Sequence, residues 1–497
     1  MAIVFILILG LILRLININQ SFWLDEAVQA ITSKGTFLNL FIELKGDFHP
    51  PLYHLLMWVW VHLFGNGEIA MRLPSVLFGT ATIWVVYLIA KNLSPQKLSI
   101  IHYPLSIPGI ASLFLATAPF HIYYSQEART YAMTTFFACL SMYYFIRLII
   151  KPALLARFAA RRTGRHRPLV IAYILSTVLM LYSDYYGIFV FLAQIIASII
   201  ILRKKATRFL LHYSSVFLLF VPCLPLLWIQ LKTGSQATAF LQEWGRLVNL
   251  SFWKALPLTF IKFSIGRITI FNKNLYALVA GILFVVYGSI TAKGFLKGKK
   301  LTINHQSLII LLWLFIPILL AWGIAFFVPN YQPFRLLLVL PAFYLLLVYG
   351  ISNISTSILR SMGVLFILLV DLISIGVYYF NTYFQREDWR GAVHFIEEQN
   401  SDKTVALLPS YTSHWPYTYY SKGKVKLISV GQEVKPVNEK DIEKLTINHY
   451  PSTIYYLYYL ADLFDPQNLI PNWLTSQKFV KIGEVSFNQI RIQEWKK

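Results

Sequence analysis

The sequence predicts a polytopic α-helical membrane protein with a small soluble α/β domain at its C-terminal end. Three observations point there. The 497 residues are 57% hydrophobic and only 13% charged, with a mean hydropathy of +0.58, whereas soluble chains carry about a quarter charged residues. The formal charge of +22 is unevenly spread: clusters of basic residues without acids, at Lys91–Lys97, Lys151–Arg167, Arg203–Arg208 and Lys293–Lys300, separate apolar runs. From about Tyr383 the apolar runs cease, and residues 381–497 carry most of the acids in ordinary soluble patterning.

Taken in order, residues 1–18 read as a retained first helix, because they have no charged leading segment and no small-residue cleavage site. The basic clusters belong on the cytoplasmic side. A nucleic-acid patch is the other reading of such runs, but apolar spans flank them on both sides. Asp25, Glu26, Glu43, Asp47, Glu68, Glu127, Asp184 and Glu243 then all face the opposite side. Threading the chain accordingly gives eleven spans, near 1–18, 72–91, 104–120, 130–149, 169–183, 186–202, 209–229, 275–291, 306–327, 335–350 and 362–380. The N-terminus is expected inside and the C-terminus outside, in the inner or plasma membrane. Proline within spans (Pro222, Pro225, Pro317, Pro341) is tolerated in a helical bundle. Residues 52–64 (LYHLLMWVWVHLF) are short, carry His54 and His62, and if they crossed would put Lys91–Lys97 outside, so an interfacial or half-inserted helix on the outer face is expected, with a true second span as the alternative. In the tail, REDWRGAVHFIEEQN reads as an amphipathic helix, and TVALLPS, KVKLISV, STIYYLYYL and FVKIGEVSF read as strands. Tyr455, Tyr456, Tyr458 and Tyr459 suit strand core, and with Trp415 they also suit an acceptor glycan. Cys139 and Cys223 lie in apolar runs without metal-site spacing.

Threading gathers six polar motifs on the outer face: Asp25-Glu26, Asp47–His54 (DFHPPLYH), Arg72 in RLPSVLFG, Glu127 and Arg129 in YSQEARTYA, Asp184 in YSDYYG, and Arg335 in PNYQPFRLLL. Individually each has a plainer reading. Arg72 and Arg335 also suit snorkelling to lipid phosphates, Glu127 and Arg129 an ion pair, Asp184 a turn and the two prolines a bend. Together they supply basic groups able to hold a lipid-linked phosphate and a carboxylate able to take a proton from an incoming hydroxyl. That combination suits sugar transfer from a polyprenyl-phosphate donor to a hydroxyl acceptor at the outer leaflet. The rival classes are a transporter, for which Asp371 inside a span is the discriminating residue, and a non-catalytic assembly protein.

In order and spacing, these motifs, with PFRLLLVLPAF and the later DWRGAV at 388–393, resemble the GT-C membrane glycosyltransferases, and within them the protein O-mannosyltransferase and aminoarabinose-transferase group. The resemblance spans roughly residues 1–350. It implies a GT-C transmembrane domain over 1–380, an extracytoplasmic α/β domain over 381–497, and inverting transfer from a polyprenyl-phosphate sugar. It implies Asp25 as the catalytic base with Glu26 assisting. His49, Arg72, Glu127, Arg129, Asp184 and Arg335 are expected to bind the donor phosphate or substrate. The family often has Lys where His49 stands, and often places its second acid as Asp a few residues beyond Glu127. Some members hold a divalent metal ion; the corresponding positions here are Phe48 and the Asp184-Tyr185 stretch, which lack the ligands. Asp25, Glu127 and Asp184 are the remaining candidates for an ion.

Overall fold

In the computed structural model, the residues described are 2–93, 106–150, 166–240, 252–297, 300–301, 303–327, 330–399, 403–432, 435–445 and 451–497. Glu243, most of the Lys91–Lys97 and Lys151–Arg167 clusters and part of Lys293–Lys300 lie outside them. Each expected span corresponds to a helical segment. Among the described residues, eight segments are long and apolar enough to cross a membrane, including Glu68–Leu93, Tyr131–Ile150, His305–Ile324 and Ser357–Phe380. Ala2–Leu15, Ile107–Thr117 and the helix ending at Ser183 are apolar but shorter. Pro222 sits in a 3₁₀ turn, Val221–Cys223, that divides one span into Leu210–Phe220 and Leu224–Phe240. Its missing N–H and fixed φ explain the break.

The segment Pro333–Ser352 runs through the middle of the bundle, where Leu336 to Val348 are buried. One continuous apolar core joins it to the helices at Glu68–Leu93, Ile107–Thr117 and Tyr131–Ile150. Residues 52–64 form the separate helix Leu52–Phe64; at about 1.5 Å per residue it is shorter than the hydrocarbon core. Helices absent from the sequence reading also appear, among them Leu24–Lys34, Phe37–Leu44 and Phe252–Ile265.

The tail forms a five-stranded sheet from β1 (Thr404–Ser410), β2 (Lys426–Gly431), β3 (Thr453–Tyr458), β4 (Val480–Phe487) and β5 (Ile490–Lys496), in the order β2-β1-β3-β5-β4. β1 pairs in parallel with β2 and β3, and β5 pairs antiparallel with β3 and β4. The alternation of β3 sends Tyr455 into one apolar cluster, under helix Trp389–Glu398, and Tyr456 into the other. β5 was not expected: its alternation, IRIQEWK, is broken by polar residues on the outward face.

Candidate functional site

The site is built on the loop between the first helix and Glu68–Leu93. Helix Leu24–Lys34 begins at Trp23, an extended residue with no side-chain cap, and carries Asp25 and Glu26 in its first turn, where acids complement the positive end of the helix. Adjacent helical residues project about 100° apart, so the pair divides. Glu26 is fully buried and Asp25 is 36% exposed at its side chain.

Glu26 accepts from Arg72 Nε (2.8 Å) and Nη2, and from the Ala128 N–H (2.8 Å). Burial works to raise its pKa, but Arg72 and the Ala128 N–H outweigh that and hold it below the ordinary carboxylate value. Arg72 spends its remaining N–H groups on the carbonyls of Ile18, Gln20 and Ser21. The expectation of a phosphate ligand at Arg72 is therefore corrected: all its donors are consumed in tying the loop to the bundle. Neither Arg72 nor Glu26 reaches the cavity described next.

That cavity, of about 1240 Å³, is lined by Asp25, His49, Glu127, Arg129, Asp184 and Arg335, so six of the eight expected site residues do converge. Arg129 Nη2 lies 3.4 Å from Asp25 Oδ2 and 3.3 Å from His49 Nδ1. Burial would weaken this guanidinium's hold on its proton, yet Asp25 and Asp47 keep it firmly cationic. Asp47 is a hub: Oδ1 is 2.9 Å from His49 Nδ1 and Oδ2 is 2.8 Å from His54 Nε2. With Nδ1 taken up by Asp47, His49 leaves Nε2 buried and, among the described residues, without a partner. Glu127 pairs with Arg386 (2.8 Å) rather than Arg129, and burial raises its pKa against Arg386's opposing pull. Asp184 accepts the Tyr186 N–H at 2.9 Å, closing its own turn. Arg335 lies over the rings of Tyr186 and Phe334, with Nε buried and, among the described residues, unpartnered.

Three cavity-lining residues, Lys262, Arg267 and Glu387, were missed, as was Arg386, the partner of Glu127. Lys262, on helix Phe252–Ile265, donates to the carbonyls of Arg267 and Ile268, and burial plus Arg267 lowers its pKa to about 8. Arg267 donates to the Tyr123 hydroxyl (2.6 Å) and lies over that ring. Arg386 reaches the same hydroxyl and Glu127, and Glu387 lines the cavity from the tail. Among the described residues Lys262, Arg267 and Arg335 form no ion pair with a carboxylate, which leaves three cations facing a cavity whose other lining includes Leu227, Leu231, Leu258 and Phe327. The sequence signal existed for the tail pair, which directly precedes DWRGAV. It was faint for Lys262, whose helix contains Pro257 and two lysines.

Asp25, Glu127 and Asp184 do not form a ligand set, since the first two have arginine partners and the third closes a turn. Among the described residues no group of three or more His, Cys, Asp or Glu is disposed to hold a metal. Asp371 accepts from Thr117 Oγ1 (2.9 Å) and Tyr344 OH (3.2 Å) within the bundle and lines neither described cavity.

Residues 48–229 match the family described as dolichyl-phosphate-mannose-protein mannosyltransferase. No curated protein matches the chain. Among solved structures, ArnT from Cupriavidus metallidurans, seen with undecaprenyl phosphate and in the apo state, is similar over 99% of this chain and 97% of its own at 14% identity and a TM-score of 0.54. The Pmt1-Pmt2 complex of S. cerevisiae, bound to the sugar donor, is similar over 46% of this chain and 32% of its own at 15% identity and a TM-score of 0.30, too partial to carry an argument. The chain thus shares its fold with ArnT, and over residues 48–229 it is similar to the mannosyltransferase family.

Proposed function

We propose that this protein transfers a monosaccharide from a polyprenyl-phosphate donor to a hydroxyl acceptor at the extracytoplasmic face, with inversion and with Asp25 as base. The observation that carries this is the division of the acidic pair: Asp25 opens onto the cavity beside Arg129, while Glu26 is sealed against Arg72. The acceptor oxygen attacks the anomeric carbon and its proton passes to the Asp25 carboxylate. The bond from that carbon to the phosphate oxygen breaks, and the lipid phosphate leaves with the electron pair. Arg129, Lys262, Arg267 and Arg335 supply the positive charge that stabilises the leaving phosphate, and His49 Nε2 is free to contact it. The apolar lining, the family description and the undecaprenyl phosphate held by ArnT support a lipid-linked donor. Glu26 acts as a positioning residue that fixes the helix bearing Asp25.

The test uses purified wild type and Asp25→Asn with a panel of radiolabelled polyprenyl-phosphate sugars and native membranes lacking the gene. Transfer by the wild type should fall by at least a hundredfold in Asp25→Asn, in the range for loss of a general base. Equal transfer by both proteins rules out Asp25 as the base.

A further inference from the structure

One wall of the cavity comes from the tail, through Glu387, Trp415, Tyr459 and Leu460. Glu387 also lines a second cavity, of about 740 Å³, whose other lining comes from residues 20–21 and the tail segment from Thr382 onward, including Arg390, His394 and Lys422. No residue of the membrane helices that line the first cavity reaches the second. Glu387 thus stands between the chamber that holds Asp25 and an opening at the junction of loop and tail.

Its carboxyl is held in place. Oε2 accepts the Trp389 indole N–H at 2.8 Å and Oε1 accepts the Tyr459 hydroxyl at 3.1 Å, with Trp389 itself fully buried. Each carboxylate oxygen has two lone pairs, so both oxygens retain one for a ligand. Burial raises this carboxyl to about 7, with the Asp25 charge contributing, so it sits where it can accept from or donate to a hydroxyl. Asp25, Glu387 and Tyr459 line the same cavity. A fixed carboxyl bonded to Tyr459, in a cavity that Trp415 also lines, matches the hydroxyls and apolar faces of a sugar ring.

We propose that Glu387, Tyr459 and Trp415 form a saccharide subsite for the acceptor, supplied by the tail domain and reached through the second cavity. The inference rests on the transferase reading. In an inverting displacement the acceptor and the phosphate lie on opposite sides of the anomeric carbon. The cations assigned to the phosphate belong to the bundle and its outer loops, whereas the tail wall, through Glu387, also borders the second cavity.

Two measurements test it on the full-length protein in detergent. In the first, saturation-transfer NMR is recorded with methyl α-D-mannopyranoside, methyl β-D-glucopyranoside and methyl α-L-arabinopyranoside. Signal transfer to at least one glycoside, weakened about tenfold or more in Glu387→Gln and in Trp415→Ala, is expected; no transfer to any, or transfer unchanged in both variants, overturns the proposal. Thermal unfolding confirms that each variant is folded, and Tyr459→Phe replaces one that is not. In the second, transfer to membrane acceptors is compared with hydrolysis of the same labelled donor by water. Glu387→Gln should lower transfer about ten- to a hundredfold, the range for a hydrogen bond to a charged group, with hydrolysis kept. A parallel fall in both assigns the wall to the donor's sugar and overturns the acceptor assignment. A wild type that turns over no donor sinks the transferase reading, and the glycoside measurement still decides the subsite.

Discussion

At the scale of single residues, Asp25 and Glu26 show how one helix turn assigns two adjacent carboxylates to different environments. Both acids were legible in the sequence, as were His49, Arg129 and Arg335, because charged residues beside apolar spans are rare. Their orientation was not legible, because it depends on Arg72 entering from another helix and on the Ala128 N–H arriving from a third segment. The buried pair makes a testable demand. Removing one partner of such a pair costs about 3–5 kcal/mol, because the other charge is left buried. Glu26→Gln should therefore lower the unfolding temperature sharply, while Asp25→Asn, partly exposed, should leave it within about 1 kcal/mol of the wild type. The pH dependence has a definite sign. The folded-state pKa of Glu26 lies below its ordinary value of 4.5, so its stabilisation is fully present above pH 4.5 and is lost as pH falls through the folded-state value. Asp47, likewise held low by His49 and Arg129 against burial, adds to the same acid limb. Melting curves between pH 3 and 7 should show wild-type stability falling below about pH 4.5, with a shallower fall in Glu26→Gln; parallel slopes would refute the linkage.

At the scale of elements, hydropathy located the spans, because every backbone polar group in hydrocarbon must be satisfied within a helix. It failed for helix Phe252–Ile265. This segment packs beside the bundle with Ala255, Thr259, Ile261 and Phe263 buried, yet carries Lys254, Pro257 and Lys262. Its charges are what bring it to the cavity, and they also hide it from an apolar-run reading. Helix packing is likewise set by details that patterning does not display. Gly350, on Leu340–Ser352, lies so close to helix Lys273–Phe295 that a Cβ there would sit 2.2 Å from the Ile290 carbonyl oxygen. That neighbour is backbone and cannot rotate away, so the two helices approach only because the side chain is absent. Gly350→Ala should force them apart and destabilise the protein by about 1–3 kcal/mol. Gly376, which has nothing within 4 Å, is the control. Thermal melts of Gly350→Ala and Gly376→Ala in the same detergent check this, and equal melting would mean the crossing is looser than described.

At the scale of the whole molecule, the tail is fastened to the outer loops around the cavity. The apolar cluster beneath helix Leu24–Lys34, built on Phe22, Ala27, Ala30 and Tyr53, takes in Trp415, Tyr419 and Tyr420 of the tail. The Tyr420 hydroxyl receives the Phe22 N–H and donates to Glu68. Composition alone showed where the tail begins, but not that it docks, because the docking groups are single side chains: Arg386, Glu387, Arg390, Trp415 and Tyr420. Among the described residues two ion pairs cross the junction, and their surroundings differ. Arg386–Glu127 is almost wholly buried, whereas Arg390–Glu68 leaves the arginine side chain 48% exposed. The Coulomb term is similar at contact, so solvent decides what each is worth. Losing Arg386 strands Glu127 in a site that already raises its pKa, a cost of about 3–5 kcal/mol, whereas water can replace Arg390 at a cost of about 0.2–1 kcal/mol. Arg386→Met should therefore lower both the melting temperature and sugar transfer, and the loss should persist in high salt, since a buried pair is little screened. Arg390→Met should cost little at low salt and nothing measurable at 0.5 M NaCl. Melting and transfer assays of the two variants across that salt range test the ordering. If Arg390→Met proved the more damaging, the tail would be held by its exposed rim and not by the buried contact beside the cavity.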